Sequence, residues 1–287
     1  MYIYAERRDA AAFNAGRGAS LLGGFFLCGA AGRSVKNRAV FSAVSCFCGR
    51  PARSSGFCIY HDPQCVKDPS CRRLLSFTPD CERCHLPGGE VSGAPPRLRE
   101  ARIHGPLIVE TVTGGVDLEG ARGVDLYIYS VRGDVRLVGA RFRHVYIDRV
   151  LGVVDFSRGR ADSFVAVAVD GGVRARGAEV RGRLHVVGSS GFLDAAGASA
   201  VGEVLVDRFR GDVSLGVKAY SLELAGVNGV ISLAGASAEG DIYIVESAGD
   251  RLDLSGVEVG GRLFLLASKF GGVRVDRPDL LKKIVVL

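Results

Sequence analysis

Residues 115–150 read GVDLEGARGVDLYIYSVRGDVRLVGARFRHVYIDRV, and the second half of this stretch repeats the first. The triplet that begins at Val116 returns at Val135, and the triplet that begins at Leu126 returns at Val145, each 19 residues later. Working outward, the first triplet recurs at Val154, Val173, Leu193, Val213, Ile231, Leu252 and Val273. The second starts at Leu107 and recurs at Val165, Leu184, Val204, Leu222, Ile242, Leu263 and Ile284. Both keep a step of 18 to 21 residues, and two independent phases holding one step over this length mark a repeat architecture.

Each triplet is aliphatic-any-aliphatic, so period 2 turns its outer residues one way and its middle residue the other. A step of this size is too short for a strand with a full crossover helix, and the linkers are rich in Gly, Ala and Ser. The pattern therefore predicts an all-β fold over residues 103–287: a single-stranded, right-handed parallel β-solenoid of about nine coils. Each coil has two or three short strands and pairs with its neighbours at about 4.8 Å. The glycines Gly115, Gly133, Gly152, Gly172, Gly191, Gly211, Gly229 and Gly249 are expected at one corner, where positive φ is cheap only for Gly.

The middle residues distinguish two faces. Face one reads Asp117, Arg136, Asp155, Arg174, Asp194, Ser214, Ser232, Asp253, Arg274, and its alternating signs predict charges stacked beside their opposites. Face two reads Ile108, Tyr127, Tyr146, Ala166, His185, Leu205, Glu223, Tyr243, Phe264, Val285, extended by Tyr129, Val187, Val245 and Leu266. An apolar, aromatic outer column marks a contact surface. Tyr127, Tyr129, Tyr146, Leu205, Tyr243, Phe264 and Leu266 are the expected interaction residues. Their cover is the N-terminal segment 1–45, a second subunit or another protein, in a monomer or dimer.

All eight cysteines lie between Cys28 and Cys84. Cys46, Cys48, Cys58 and His61 follow a C-x-C-x9-C-x2-H spacing that suits a tetrahedral zinc site. Cys65, Cys71, Cys81 and Cys84 form a second set, with His85 as a spare ligand. One Zn²⁺, and in the fuller reading two, would staple residues 46–86, which are poor in aliphatics. Disulfides, reduced structural cysteines and, for the second set, an iron–sulfur cluster are the alternatives. Residues 1–45 are then an extension, poorly ordered or packed on the solenoid, and 87–102 a linker or cap carrying Pro87, Pro95 and Pro96.

The string Cys58-Ile59-Tyr60-His61-Asp62-Pro63, preceded by CGRPA, resembles a Cys/His module that precedes β-helical repeats in archaeal pentapeptide-repeat-type proteins. The chain lacks their A-(D/N)-L-x-x step. Its Gly-bounded coils, such as VEVGGRLFLL, are closer to the bactofilin-like polymer-forming solenoids. Both resemblances imply scaffolding or binding. An archaeal, thermophilic source fits the scarcity of Gln, Asn and Met: Met1 is the single Met and Gln64 the single Gln.

The chain carries a formal charge of +6, and all of the excess falls in residues 1–100, with 14 Lys and Arg against 8 Asp and Glu. Nucleic-acid binding through that third is the second functional reading. The third is a β-helix enzyme acting on polysaccharide, although the acidic clusters of such enzymes are missing. P-loop, GxSxG and HExxH motifs are absent, and His104, His144 and His185 have no nucleophile at a matching coil position. The first reading is a non-catalytic scaffold that docks a protein partner or itself through face two. The apolar stretch Gly18–Ala30 is too short to span a bilayer, so no integral membrane segment and a cytoplasmic location are expected.

Overall fold

The computed structural model describes residues 60–65, 67–72 and 81–287. The expected extension 1–45 lies outside them. Among the described residues the chain is a parallel β-solenoid of eleven coils. Face two holds one strand per coil, from Gly89–Gly93 and Leu107–Thr113 through Asp125–Arg132 and His144–Asp155 to Leu263–Leu266 and Ile284–Val286. Face one carries the first triplets, with Val116, Val135, Val154, Val173, Leu193, Val213, Ile231, Leu252 and Val273 in continuous register. A third face, made of two-residue strands, stacks Arg160–Ala161, Glu179–Val180, Ser199–Ala200, Lys218–Ala219, Ser237–Ala238 and Glu258–Val259.

The stack starts upstream of residue 103. Gly89–Gly93 pairs in parallel with Leu107–Thr113, and His85–Leu86 pairs with Arg102–Ile103. The Cys81 and Arg83 amides donate to the Arg97 and Arg99 carbonyls, and Cys81 and Cys84 are buried in the same core as the repeat. Segment 87–102 is thus a coil of the stack, and 81–86 lies against its first turn. Pro95 and Pro96 fall at the turn where that coil reaches face one, where no ladder N–H is needed.

Each coil fills the interior from all three faces. Leu126, Ile128, Val131, Val135, Leu137, Ala140 and Phe142 are all buried, and the larger of these each contribute about 1.5–3 kcal/mol of burial. Volume is balanced between coils. Phe142 projects inward where the coil below has Gly123, on which a Cβ would lie 2.5 Å from the Phe142 ring. Phe156 stacks on Phe164 at 4.6 Å between centroids and fills the space a side chain at Gly159 would need.

The run SFVAVAV corrects one phase. Val165 pairs with Tyr146 and His185 and points outward, whereas Phe164 and Ala166 are buried beside Val145 and Ile147. The outer column of face two therefore contains Val165, not Ala166. Phe164 takes the inward position because its ring packs on Phe156.

The glycine corner also shifts at two coils: Gly114 and Gly171 occupy it rather than Gly115 and Gly172. Each glycine stacks directly on the last. A Cβ on Gly152 would lie 2.5 Å from the Gly133 carbonyl oxygen, and one on Gly171 2.7 Å from that of Gly152. Close approach between coils, and not φ alone, excludes other residues here. A second corner has left-handed backbone without glycine: Thr111, Ser130, Arg149, Ala168, Arg208, Glu246 and Ala267 have φ between 48° and 56°, and only Gly188 and Gly226 relieve the column.

On face one the charges stack in the expected register, Asp117 beside Arg136 and Arg136 beside Asp155. Arg274 and Asp253 form an ion pair along this register at 3.9 Å, and the closer pairs run elsewhere. Arg99 holds Asp117 at 2.6 Å, Arg136 holds Glu119 at 3.6 Å, and Arg176 holds Asp194. The aspartates turn towards their own following turn, where Asp117, Asp155, Asp194 and Asp253 accept the amides of Glu119, Ser157, Ala196 and Ser255. Capping these turns is their first role.

Candidate metal centre and apolar face

The residues before the stack place His61 against its first turn. The Tyr60 carbonyl accepts the His85 amide at 2.5 Å, and His61 Nε2 lies 2.9 Å from the Glu82 carbonyl oxygen. Cys84 Sγ is 3.6 Å from the same Nε2. His61, Cys81 and Cys84 are all buried, and their ligand atoms lie within 4.8 Å of one another. Such a group could hold a metal ion. It draws His61 from one expected ligand set and Cys81 and Cys84 from the other.

Cys65 and Cys71 form a separate pair. Cys65 sits in a turn closed by its amide on the Asp62 carbonyl, and Cys71 sits in the short helix Pro69–Arg72. The structure joins Cys65 to Cys71 and Cys81 to Cys84 as disulfides. Cys46, Cys48 and Cys58 lie outside the described residues.

In the disulfide state His61 Nε2–H can donate to the Glu82 carbonyl. In a metal-bound state that nitrogen would give its lone pair to the ion, and both sulfurs would be thiolates. The two states exclude each other. His85, the spare ligand, is not in the cluster. Its Nδ1 lies 3.1 Å from His104 Nε2, and the rings stack at 5.4 Å. Burial, followed by the nearby His104 and Arg102, holds the His85 imidazole below its ordinary pKa.

The chain matches no family model, no curated protein and no solved structure. Neither the pentapeptide-repeat nor the bactofilin likeness is supported by these comparisons. The solenoid stands on its own ladder. No helix among the described residues is long and apolar enough to cross a membrane.

Face two is half-exposed along most of its length. Ile108, Tyr127, Tyr146, Val165, His185, Leu205, Tyr243, Phe264 and Val285 are partly buried and in register, and Glu223 is exposed. The aromatic residues gather at two places. Tyr129 packs on Tyr146 at 5.8 Å, and Tyr243 stacks flat on Phe264 at 4.9 Å. Burial raises the pKa of the Tyr129 and Tyr146 hydroxyls, and the hydrogen bond to Asp241 does so first for Tyr243.

Val187, Val245 and Leu266 extend the surface, while Glu110, Asp148 and Asp207 interrupt the same second column. His185 Nε2 meets the Glu203 carboxylate at 2.8 Å, a surface pair. The sequence pattern allowed a third strand per coil but did not locate it. The strands of that face have one inward residue each, too few to form a visible alternation.

Proposed function

We propose that this protein is a non-catalytic interaction scaffold whose apolar face two docks a second copy of the chain. The observation that carries this reading is the symmetric placement of the aromatic residues. Counted from between His185 and Leu205, the middle of the ten column residues from Ile108 to Val285, Tyr146 and Tyr243 are equally far out, and so are Tyr127 and Phe264. A two-fold axis at that middle, with the rods antiparallel, sets each aromatic pair on the other.

Ten coils at about 4.8 Å and two outward residues per strand give a contact of roughly 1,000–1,400 Å² in total, the size of a weak, reversible interface. The fold end carrying His61, Cys81 and Cys84 is proposed to bind one Zn²⁺ as a structural staple. A closed zinc site needs one ligand more than these three. A closed four-ligand site of this kind stabilises and does not catalyse.

Light scattering over a concentration series tests the docking. The parent is expected to pass from monomer to dimer with rising concentration, and Tyr146→Lys or Phe264→Lys to remain monomeric while keeping the parent's β-sheet circular-dichroism spectrum. A parent that stays monomeric at the highest concentration would refute self-docking. A dimer that survives both substitutions would place the interface elsewhere.

A further inference from the structure

Face three carries a surface of different chemistry from face two. Arg102, Arg122, Arg141 and Arg160 pair in register from coil to coil and are all exposed. Four like charges at a pitch of about 4.8 Å repel one another, so a stack of this kind needs partners. Arg160 has one, Glu179 at 2.9 Å. Arg102, Arg122 and Arg141 make no ion pair among the described residues, and neither does Arg158, which lines the same groove.

Three carboxylates, Glu82, Glu100 and Glu119, line the groove and pair with other arginines, Glu82 with Arg83 at 3.9 Å. Glu100 is held by Arg83 at 2.9 Å and Glu119 by Arg136 at 3.6 Å. The groove floor is backbone at Gly120 and Gly139, and a Cβ on Gly139 would meet nothing within 4 Å. The groove is therefore open at Gly139, the Glu100 side chain lies over Gly120, and the five arginines of the lining outnumber its three carboxylates. Face one shows the contrast, since there the chain alternates signs from coil to coil.

We propose that this groove binds a linear phosphate polymer without bases, of the inorganic polyphosphate type. The guanidinium fork suits phosphate oxygens. A column of arginines about 14 Å long suits a ligand that repeats its charge along a line. A single-stranded nucleic acid would also be tracked by its backbone, but such sites add aromatic platforms for the bases. Val138 is the sole apolar side chain lining the groove of Arg102, Arg122 and Arg141, and beside Arg160 the one aromatic ring, Phe142, is buried in the core.

The test is the binding of medium-chain inorganic polyphosphate to the full chain, measured by calorimetry over a series of salt concentrations. The triple variant Arg102→Gln, Arg122→Gln, Arg141→Gln is expected to bind at least tenfold more weakly. Its slope of log affinity against log salt should be shallower by about two to three. A charge-matched control, Arg210→Gln, Arg251→Gln, Arg262→Gln, should bind within twofold of the parent. In the unaltered protein, polyphosphate should protect Arg122 and Arg141 from phenylglyoxal, read by mass spectrometry. The proposal is overturned if both triple variants lose affinity equally, if neither arginine is protected, or if single-stranded RNA of equal charge binds tenfold more tightly.

Discussion

Replacing Gly152 with Ala should damage the stack far more than replacing Gly139, although both glycines have positive φ. Gly139 has φ +66° and open space around its missing Cβ. Alanine there pays only for left-handed backbone, about 1–2 kcal/mol, less about 0.4–1 kcal/mol recovered from a stiffer unfolded chain. Gly152 has φ +152°, and its Cβ would lie 2.5 Å from the Gly133 oxygen, 2.6 Å from the Gly133 carbon and 3.0 Å from the Asp134 nitrogen. All three atoms are backbone, and the ladders on both sides of the corner hold them. Overpacking adds about 1–3 kcal/mol to the conformational cost. The expected losses are roughly 2–4 kcal/mol for Gly152→Ala and roughly 0.5–1 kcal/mol for Gly139→Ala. Guanidinium unfolding followed by circular dichroism, with both variants in the same buffer, reads the difference. Equal losses would refute the claim that contact between coils governs the Gly152 corner.

At the other corner, Thr111→Gly should stabilise the protein by about 0.5 kcal/mol, because a β-branched residue at φ 49° is relieved of strain at some cost in chain entropy. The reciprocal Gly188→Thr should destabilise it, and denaturant midpoints would show both. Asp253 is held below the ordinary carboxylate pKa by hydrogen bonds from the Ser255 hydroxyl and amide. Its contribution is therefore complete above the unfolded value near 3.9 and lost as pH falls through its lower folded value. Asp253→Asn keeps an acceptor for the Ser255 amide, so its melting temperature should change less than the parent's between pH 5 and pH 2, in steps read by calorimetry. Protein purified under reducing conditions should carry zinc that is lost in Cys81→Ser and Cys84→Ser variants, as elemental analysis would show. A reduced parent free of metal would leave the disulfide as the working state of that pair.

Much of the solenoid was legible because its inward columns repeat at two phases, and a slip of one residue would expose a whole column. Legibility failed where that signal is weak. From Phe164 to Val169 every residue is apolar, so alternation cannot choose a phase, and the Phe156 contact decides it. The first face-two strand, GEVSG, has a single buried aliphatic, Val91. The arginine column of face three is invisible along the chain, since its members are neighbours only after the coil length is set. Local spacing grouped His61 with Cys58 and Cys81 with Cys65, whereas the fold brings His61 to Cys81 and Cys84 across 20 residues and more.

The varying length of the coils has a consequence for how such a protein can change. Ser199 pairs with Lys218 at a step of 19, yet a few residues on Glu203 pairs with Ser221 at a step of 18. Asn228 bridges Ala248 at a step of 20, and then Ile231 pairs with Leu252 at 21. The lost or gained residue falls at a corner in both cases, and the columns continue undisturbed. Small insertions and deletions are thus absorbed locally, while removal or duplication of a whole coil keeps the strand ladders and the inward aliphatic columns in register. The molecule is graduated like a ruler, and its length can be reset in increments of about 4.8 Å without redesigning its cross-section.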